Sequence, residues 1–517
     1  MRHRIVAALP VVATALIGAA AWLWFALSTR TTLEDAYITF RYARNLARGL
    51  GFVYNPGERV LGTTTPLLTL MLAALGRVFG PDRIPLISSI LMPAFGLAAG
   101  LFTYASLASL GFSRIAAALG LLLFVLHPFV IRTSVGGMET PLVLFLMALG
   151  LYCLARKRPV AATAAAALLA ICRLDGIIWG GILVAASLLS NYRRPLRQAS
   201  GFAAVVLPWV VFATLYFGSA IPNTMLAKGV VRPGREQLLL DPLHFRRLSH
   251  WYLSGTGLSP DHTLFWIWVG LLAAGVYAVI RAKRREALLL PLFPLAYAVL
   301  MYLGRAPMYQ WYLLPMLLCC LFLVGIGCWR LSSWATCPTV NRHWRAAVAV
   351  CAIAIGVVGA LGVTRDLPRR IRRARDFQDN EWSLRRGIGL WLNRNTPPNA
   401  SIAMEAIGYQ GYFAERRVID MAGIVTPRVV QFKASTGSNG ALFRRVWTEF
   451  KPDYIVLRSF EVDENRHFNG GNLFESEVER AHFFTHYRER RRFSAPHPDI
   501  APLVTHLTLY QRLPQSH

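Results

Sequence analysis

Repeated apolar runs constrain this chain more than any other feature of its sequence. They recur from Ile5 to Val363, and a helix needs ~20 such residues to cross the ~30 Å core of a bilayer. Of the 517 residues, 55% are hydrophobic, which is more than a soluble enzyme of this size needs to bury. The sequence therefore predicts a polytopic α-helical membrane protein and excludes a soluble enzyme.

The lengths of the runs predict about 11 transmembrane helices. Their approximate limits are 5–27, 85–108, 114–131, 141–155, 160–172, 175–190, 200–217, 263–280, 287–303, 311–329 and 346–363. The shorter run Thr65 to Phe79 is not counted, because a span there would put the loop at Arg132 on the wrong side of the membrane. We expect this run to lie along the membrane surface or to dip into it. The first run is longer than the core of a signal peptide, so we interpret it as a retained span.

Positive charge fixes the predicted orientation. The formal net charge is +28, and much of it lies in short loops at 156–158, 193–197, 281–285 and 330–345. Loops with an excess of lysine and arginine stay in the cytoplasm. The alternate loops, and everything after Val363, are therefore expected on the outer side. This reading accounts for the charge without nucleic acid, and we predict no nucleic-acid partner.

The pattern changes after Val363. Apolar residues at helical spacing cover 381–393, and turn-forming residues separate the segments that follow. The segments that indicate strands are 401–404, 454–457 and 504–510. The predicted domains are residues 1–363, with an outer loop 28–84, and a soluble α/β domain of residues 364–517.

Two acidic residues follow the first apolar run. Glu34 and Asp35 lie near its expected outer end, and Arg41 and Arg44 come next, three residues apart on one helical face. Sugar transfer from a lipid phosphate needs a base for the acceptor hydroxyl and cations for the leaving phosphate. A charged loop that only marks the end of a span would carry the same residues. The segment alone does not decide between these interpretations.

Short motifs along the whole chain resemble the GT-C glycosyltransferases, which use polyprenyl-phosphate sugars. In chain order they are Glu34-Asp35-Ala36-Tyr37-Ile38, Tyr54-Asn55-Pro56-Gly57-Glu58-Arg59-Val60, Gly137-Met138-Glu139-Thr140, Arg173-Leu174-Asp175-Gly176, Pro222-Asn223-Thr224 with Lys228, Tyr309-Gln310-Trp311-Tyr312-Leu313-Leu314-Pro315, Ile407-Gly408-Tyr409 and Val418-Ile419-Asp420-Met421-Ala422-Gly423. The set is similar to a bacterial subgroup that includes cell-wall arabinofuranosyltransferases. Many relatives have two aspartates where this chain has Glu34-Asp35.

The resemblance implies a GT-C-like membrane domain with surface helices in its first outer loop. It also implies a polyprenyl-phosphate donor, such as decaprenyl-phosphate arabinose, and a polysaccharide or glycolipid acceptor. The implied location is a bacterial plasma membrane, among its lipids, with the active site and the C-terminal domain extracytoplasmic. No cofactor is certain: a divalent cation shared by Asp35 and the phosphate fits the sequence without being required, and its ligands are unknown. The seven cysteines show no disulfide framework and no metal-binding spacing.

We predict Asp35 as the catalytic base, with Glu34 as the alternative, because neighbours on a helix point about 100° apart and only one faces the substrate. The residues predicted to bind the donor phosphate are Arg41, Arg44, Arg132, Arg173, Lys228 and Arg305. Those predicted to contact the sugar or the acceptor are Glu139, Asp175, Asn223 and Tyr309.

Most of these residues also have a structural interpretation. The two arginines after the acidic pair would equally contact lipid headgroups, and Arg173 would pair with Asp175 to hold its loop. Glu139 would cap the following span, and Tyr309 would anchor the chain at the membrane interface. In the C-terminal domain, Tyr409, Tyr412, Phe413 and Trp447 suit sugar binding and would also serve as a small core. We predict that this domain helps to hold the acceptor.

Two other functions fit a membrane protein of this size. One is a lipid-linked substrate transporter or flippase, which should show repeated halves and charges at mid-span. The other is a membrane scaffold, which has no need for acids and arginines gathered on one side. The charges here fall at span ends on the expected outer side, so the sequence favours glycosyl transfer.

Overall fold

The computed structural model describes residues 2–190, 195–229, 263–303, 309–335, 367–462, 473–501 and 504–514. The chain divides into two compact units, each made of three separate stretches. The helical unit comprises Met1–Ser28, Ser89–Trp209 and Gly234–Ile371, and the mixed unit comprises Thr29–Ser88, Val210–Pro233 and Arg372–His517. Residues 29–88, which contain most of the loop predicted to be outer, therefore belong with the C-terminal residues. These units cut across the domains 1–363 and 364–517, which stay a prediction.

Helices make up most of the described chain. Their bounds are α1 (Arg2–Thr29), α2 (Ala36–Ala47), α3 (Pro66–Phe79), α4 (Ile84–Ser109), α5 (Arg114–Leu126), α6 (Pro128–Val135), α7 (Thr140–Ala155), α8 (Pro159–Cys172), α9 (Gly176–Ser190), α10 (Pro195–Phe217), α11 (Asn223–Gly229), α12 (Thr263–Arg281), α13 (Leu289–Leu303), α14 (Leu314–Ala335), α15 (Leu367–Glu381), α16 (Gly387–Asn395), α17 (Ile407–Ala414), α18 (Pro427–Ser435), α19 (Asn439–Phe450), α20 (Ser459–Val462) and α21 (Glu477–His486). A π-helical turn, Trp382–Arg386, joins α15 to α16.

Several helices are long and apolar enough to cross a membrane. Within the described residues these are Pro10–Thr29, Pro81–Ser109, Pro195–Phe217 and Gln310–Ser333, with shorter apolar helices between them. The pair α5 and α6 makes a further, broken span, bent by 61°. The bend falls at His127 and Pro128, because proline disfavours helical backbone at the residue before it. The predicted span 346–363 lies outside the described residues, and the count of eleven stays a prediction.

Close backbone approach holds the helical unit together. Helix α14 packs on α5 and α12. A Cβ atom on Gly325 would lie 2.5 Å from the Gly120 nitrogen, and one on Gly275 would lie 1.9 Å from the Leu323 oxygen. Small residues at helix contacts are typical of membrane bundles, where van der Waals packing replaces the hydrophobic effect. The glycines in these apolar runs therefore bring the helix axes together.

The mixed unit contains a five-stranded sheet with the order β2-β1-β3-β5-β4. Its strands are β1 (Ser401–Met404), β2 (Arg417–Asp420), β3 (Tyr454–Arg458), β4 (Tyr487–Ser494) and β5 (His506–Arg512). Strand β1 runs parallel to β2 and β3, whereas β5 is antiparallel to β3 and β4. Buried side chains such as Ile455, Phe443 and Phe483 form the core beside it. The predicted α/β domain is confirmed.

Helix α2 of the first outer loop is almost wholly enclosed within the mixed unit. All its residues from Ala36 to Asn45 are buried, and α3 packs against it. Helix α3 begins one residue after the predicted start of the short apolar run and ends with it at Phe79. The charged loop that follows the first apolar run is thus part of a packed structure, and its first two acidic residues lie where α2 begins.

Candidate active site

The acidic pair lies between α2 and α17. The amide of Gly408, in the first turn of α17, donates a hydrogen bond to Glu34 Oε1. Asp35 is the N-cap residue of α2, but its side chain accepts no capping hydrogen bond. Both residues are half-buried overall, but the carboxyl group of Glu34 lies in buried surroundings. Helix N-termini attract carboxylates because their amides lack partners and carry partial positive charge, so α17 fixes Glu34 and leaves Asp35 outside that contact.

Burial separates the two carboxyl groups chemically. Loss of hydration raises the pKa of Glu34 to about 8, with Asp35 adding to the increase and Arg385 opposing it. A raised pKa favours the protonated form of Glu34, and a protonated carboxyl group cannot accept the proton of a hydroxyl. The arrangement leaves Asp35 as the member of the pair that fits a general base.

Arg385 is a charged neighbour of the pair that sequence reasoning missed. It donates a hydrogen bond of 2.8 Å to Glu381, and its charge acts on Glu34. It lies on the π-helical turn, which gives one extra residue per turn and turns side chains away from regular α-helical positions. The sequence predicts a helix over 381–393, and regular periodicity does not reveal such a turn.

Arg41 and Arg44 cap the other end of α17. Arg41 is 2% exposed and donates to the carbonyl oxygens of Tyr54, Gly411 and Arg416 at 2.9, 2.7 and 2.7 Å. Helix C-termini have carbonyl groups without partners, and these attract cations. The predicted phosphate contact of Arg41 would require these hydrogen bonds to break.

Arg44 is enclosed in the same way. It is 4% exposed, donates to the Tyr412 oxygen at 2.7 Å and pairs with Glu415 at 3.0 Å. Its guanidinium also lies over the Tyr412 ring, 3.9 Å from the centroid. Helix α17 thus binds Glu34 at its N-terminus and two arginines at its C-terminus, where the positive charge of the arginines is favourable to the helix dipole.

The aromatic residues of α17 pack against α2. The Tyr37 and Tyr409 ring centroids are 4.3 Å apart, and Tyr412 and Phe413 also contact Tyr37. Tyr409 is fully buried and accepts a hydrogen bond of 2.9 Å from Gln378. In the described residues Tyr409 and Tyr412 therefore belong to the core, the second of the two roles that the sequence allows.

Asn223 joins two of the motifs. Its Nδ2 donates to the oxygens of Gly423 and Ile424 at 2.7 and 2.9 Å. These oxygens belong to a turn held by Asp420, which is fully buried and accepts from the amides of Ala422, Ile424 and Val425. Both amide hydrogens of Asn223 are used, so its predicted sugar contact would compete with the turn. Lys228, half-buried, lies at the end of the same helix, α11.

A second charged group, the Arg173 cluster, lies in the helical unit between α8 and α9. Arg173, 3% exposed, forms a two-bond pair with Asp175 at 2.6 and 2.8 Å. Its remaining nitrogen donates to Thr140 at 3.1 Å and to Glu139 at 3.4 Å. Glu139 itself makes no capping hydrogen bond at the start of α7.

Two tyrosines complete the Arg173 cluster. The Tyr297 hydroxyl donates to Asp175 at 2.6 Å, and the Arg173 guanidinium lies 5.0 Å from the centroid of the Tyr312 ring. Three motifs that are far apart in the sequence therefore meet at one arginine. Their polar groups are directed at one another, as in the structural interpretation of Arg173 and Asp175.

The other predicted residues of the helical unit differ in environment. Arg132, on α6, is exposed, and we find no ion pair or hydrogen bond for it in the described part of the chain. Tyr309 stacks on Trp311 with ring centroids 4.9 Å apart. Arg305 lies outside the described residues. Of the two predicted phosphate ligands described in this unit, Arg173 is enclosed and Arg132 is exposed.

Three side chains that could ligate a metal gather in the mixed unit. Within the described residues, Asp376 and Asp379 of α15 come within 4.8 Å of His497 through their ligand atoms. The group is partly exposed, and acids of this kind are common without a metal. It does not include Asp35, so it gives no support to the divalent ion considered for the donor phosphate.

The helices and the α/β unit define the class of this protein. Its fold is that of the GT-C glycosyltransferases, as the motifs of the first outer loop predict, and the predicted fold class is confirmed. The same likeness, with the apolar helices, indicates a multi-pass membrane protein.

Two solved structures illustrate the fold. ArnT from Cupriavidus metallidurans, bound to undecaprenyl phosphate, has a TM-score of 0.58 and 13% identity, covering 97% of each chain. The apo oligosaccharyltransferase of Archaeoglobus fulgidus has a TM-score of 0.56 and 12% identity, covering 88% of this chain and 70% of that chain. At such identities the likeness shows the fold alone.

In sequence, the chain is similar to the terminal β-(1→2)-arabinofuranosyltransferase of Mycobacterium tuberculosis (strain ATCC 25618 / H37Rv). The two are 24% identical over 428 residues, which covers 76% of this chain and 63% of the relative. The chain thus spans less than two thirds of that protein. Residues 370–510 match a family described as a domain of unknown function, DUF8728. The predicted resemblance to arabinofuranosyltransferases is confirmed as a resemblance.

Proposed function

We propose that this chain is a membrane glycosyltransferase that moves a sugar from a polyprenyl phosphate to a cell-envelope glycan. The single observation that carries the proposal is the acidic pair at the start of α2, in which Glu34 is bonded to α17 and Asp35 is not. The similarity to a mycobacterial arabinofuranosyltransferase favours arabinofuranose as the sugar. The proposed location is the outer face of a bacterial plasma membrane.

In the proposed reaction, Asp35 accepts the proton of the acceptor hydroxyl as its oxygen attacks the anomeric carbon. The bond between that carbon and the phosphate oxygen breaks, and the polyprenyl phosphate leaves with its negative charge. Fixed cations stabilise that charge best where water is scarce. Arg385 is a cation beside the carboxyl pair, and Arg132 and Lys228 stay as proposed phosphate ligands.

Arg41, Arg44 and Arg173 receive a different role in this proposal. Each is buried and donates to backbone oxygens or to carboxylates, although Arg44 Nε has no partner in the described residues. Moving such a charge to a ligand would leave its former partners unsatisfied, at ~1–3 kcal/mol for each lost bond. We therefore propose that these arginines hold α17 and the loop between α8 and α9, instead of binding phosphate. Asp175 and Glu139 would then position Arg173.

The donor class is tested by mass spectrometry of the purified protein with its bound lipid, followed by a transfer assay. We expect a co-purified polyprenyl phosphate, and transfer of radiolabelled sugar from decaprenyl-phosphate arabinose to a soluble arabinan acceptor. Movement of the intact labelled lipid across a vesicle membrane, with no new glycosidic bond, would instead make the protein a transporter and overturn the proposal.

The outer-face placement is tested by labelling single cysteines in intact cells with a membrane-impermeant maleimide, after the native cysteines are replaced. Gly57→Cys, in the first outer loop, should react from outside. Lys157→Cys and Lys283→Cys, in loops predicted to be cytoplasmic, should react only after the cells are permeabilised. Outside labelling at Lys157→Cys would contradict the placement.

A further inference from the structure

A cavity of about 830 Å³ opens in the mixed unit where the ends of three strands of the sheet meet. Its lining includes Asp453 and Tyr454 at the start of β3, Tyr487 at the start of β4, and Arg512 at the end of β5. The antiparallel pairing of β5 with β3 and β4 brings these strand ends together. Ligand pockets usually measure ~300–1,000 Å³, so the cavity is large enough for several sugar rings.

The cavity is separate from the Glu34–Asp35 pair. Strand β1 begins beside the cavity, at Ala400 and Ser401, whereas its other end leads into α17 and the contact with Glu34. The strands of the sheet have four to eight residues, and each residue adds ~3.3 Å. A group in the cavity therefore lies at the opposite end of the strands from the acidic pair.

The side chains that line the cavity are rich in hydrogen-bond donors. The donors that line it are Lys451, His482 and the amide of Gln511. The indole Nε1 of Trp447 is buried and is not counted among them. The carboxylate Asp453 is already occupied, since it accepts from Ser401 at 2.8 Å and from Arg512 at 3.0 Å. The lining therefore suits a ligand with many oxygen acceptors.

Aromatic rings supply an apolar surface beside these donors. The ring centroids of His482 and His486 lie 4.7 Å apart, and each lies 5.4 Å from that of Trp447. His482 is exposed and His486 half-exposed. Ring surfaces next to convergent donors match a sugar, which has an apolar C–H face and hydroxyl oxygens at its rim. A simple anion would leave most of this volume empty, and the one carboxylate already neutralises part of the charge of Arg512.

We propose that this cavity is an oligosaccharide-binding subsite. It rests on the proposed function in one respect: the saccharide it holds is a segment of the acceptor glycan several units from the bond being formed. The subsite would keep a growing chain attached to the enzyme while its end reaches Asp35. It adds Lys451, His482, His486 and Trp447 as positioning residues, the first three of which the sequence did not single out.

The direct test is saccharide binding to the purified full chain, measured by isothermal titration calorimetry. The probes are an α-(1→5)-linked arabinofuranose hexasaccharide, maltohexaose, free arabinose and inorganic phosphate. We expect at least one hexasaccharide to bind at least tenfold more tightly than arabinose. Absence of hexasaccharide binding would overturn the proposal, and so would binding of phosphate without either hexasaccharide, which would make the cavity an anion site.

Two variants locate the binding. Thr448→Phe places a ring in the cavity without removing a charge, and Lys451→Asn removes a donor at a left-handed position (φ 45°) that asparagine tolerates. Each should raise the hexasaccharide Kd at least tenfold. The control is Arg490→Gln, an exposed residue of β4 outside the lining, which should leave it unchanged. Unaltered binding in both cavity variants would contradict the proposal.

Failure of the subsite and failure of the proposed function give different results. Thr448→Phe should still release sugar from the polyprenyl-phosphate donor to water at the wild-type rate, because that reaction needs no acceptor glycan. Asp35→Asn should bind the hexasaccharide normally and lose that release. If Thr448→Phe lost both hexasaccharide binding and sugar release at a normal unfolding temperature, the cavity would belong to the donor site. That result would overturn the subsite proposal.

Discussion

The Arg173 cluster and the Glu34–Asp35 pair both contain carboxyl groups near an arginine, but their hydrogen bonding differs. In the first, one arginine lies between Asp175 and Glu139, and both oxygens of Asp175 accept hydrogen bonds from Arg173. In the second, two carboxyl groups adjoin, and only Glu34 is bonded to a backbone amide. A closed ion pair stabilises a loop, whereas an acid without such a partner is available for proton transfer.

Helix α17 shows how the fold creates that difference. Its N-terminus binds Glu34 and its C-terminal carbonyl groups bind Arg41 and Arg44. Helix α17 thus separates the charged residues predicted to carry out the reaction into two groups. Those that bond to its ends are structural, and Asp35 is the residue that α17 does not bind.

The largest effect is expected at the Arg173 cluster. Arg173→Met leaves Asp175 and Glu139 buried without their cation, and breaking a buried pair costs ~3–5 kcal/mol. We expect a clear fall in the unfolding temperature of the detergent-solubilised protein. Arg156→Met, an exposed arginine of the same unit, is the control and should change little. If Arg173→Met had normal stability and weakened donor binding, Arg173 would again be assigned as a phosphate ligand.

The contact between α17 and Glu34 is tested next. A Cβ atom at Gly408 would lie 2.0 Å from the backbone oxygen of Glu34. Gly408→Ala must therefore push α17 and Glu34 apart, at a cost of ~1–3 kcal/mol. We expect slower sugar transfer together with lower stability. Gly437→Ala is the matched control, because a Cβ there meets nothing within 4 Å. Equal transfer rates in the two variants would mean that the position of Glu34 is unimportant.

A smaller effect is expected at Arg132. If it contacts the leaving phosphate, Arg132→Gln should weaken use of the donor about tenfold, or ~1.4 kcal/mol, without lowering the unfolding temperature. Arg284→Gln, another exposed arginine of the helical unit, should keep the wild-type kcat/KM for the donor. The same loss in both variants would point to a general effect of surface charge.

The fourth test concerns pH. Burial raises the pKa of Glu34 from 4.5 to about 8, so between these values the folded protein binds more protons than the unfolded chain. Stability should therefore fall as the pH rises through this range. The unfolding temperature of the wild type should be lower at pH 8.5 than at pH 6, and Glu34→Gln should reduce that difference. A wild-type protein that becomes more stable, with Glu34→Gln unchanged, would contradict the raised pKa.

The sequence predicts the elements of this fold better than their contacts. Apolar runs and short strands give the helices and the sheet, because burial and periodicity are local properties of the chain. The hydrogen bond from Gly408 to Glu34 joins residues 374 positions apart, and no pattern in the sequence shows it. The motifs that indicate a GT-C protein turn out to meet one another in space, as Asn223 meets the turn at Gly423.

The roles of the arginines are the part that sequence could not supply. Arg41 and Arg44 share one helical face, which is typical of an exposed or ligand-binding surface. Apart from that of Tyr54, the carbonyl groups that enclose them come from α17 and the chain just after it, more than 360 residues away. Arg385 was missed for a related reason, since a π-helical turn changes its direction without altering the apolar spacing. A sequence shows which residues are charged, but it does not show which groups they pair with.

The central claim, that Asp35 is the base and Glu34 its protonated neighbour, is tested most directly by comparing Asp35→Asn with Glu34→Gln at pH 7. The measurement is the initial rate of sugar transfer from a polyprenyl-phosphate donor by purified variants of equal unfolding temperature. A general base contributes ~10²–10⁴-fold, so Asp35→Asn should lose that factor. Glu34→Gln mimics the protonated acid and should stay within about tenfold of the wild type. A greater loss in Glu34→Gln than in Asp35→Asn would contradict the account.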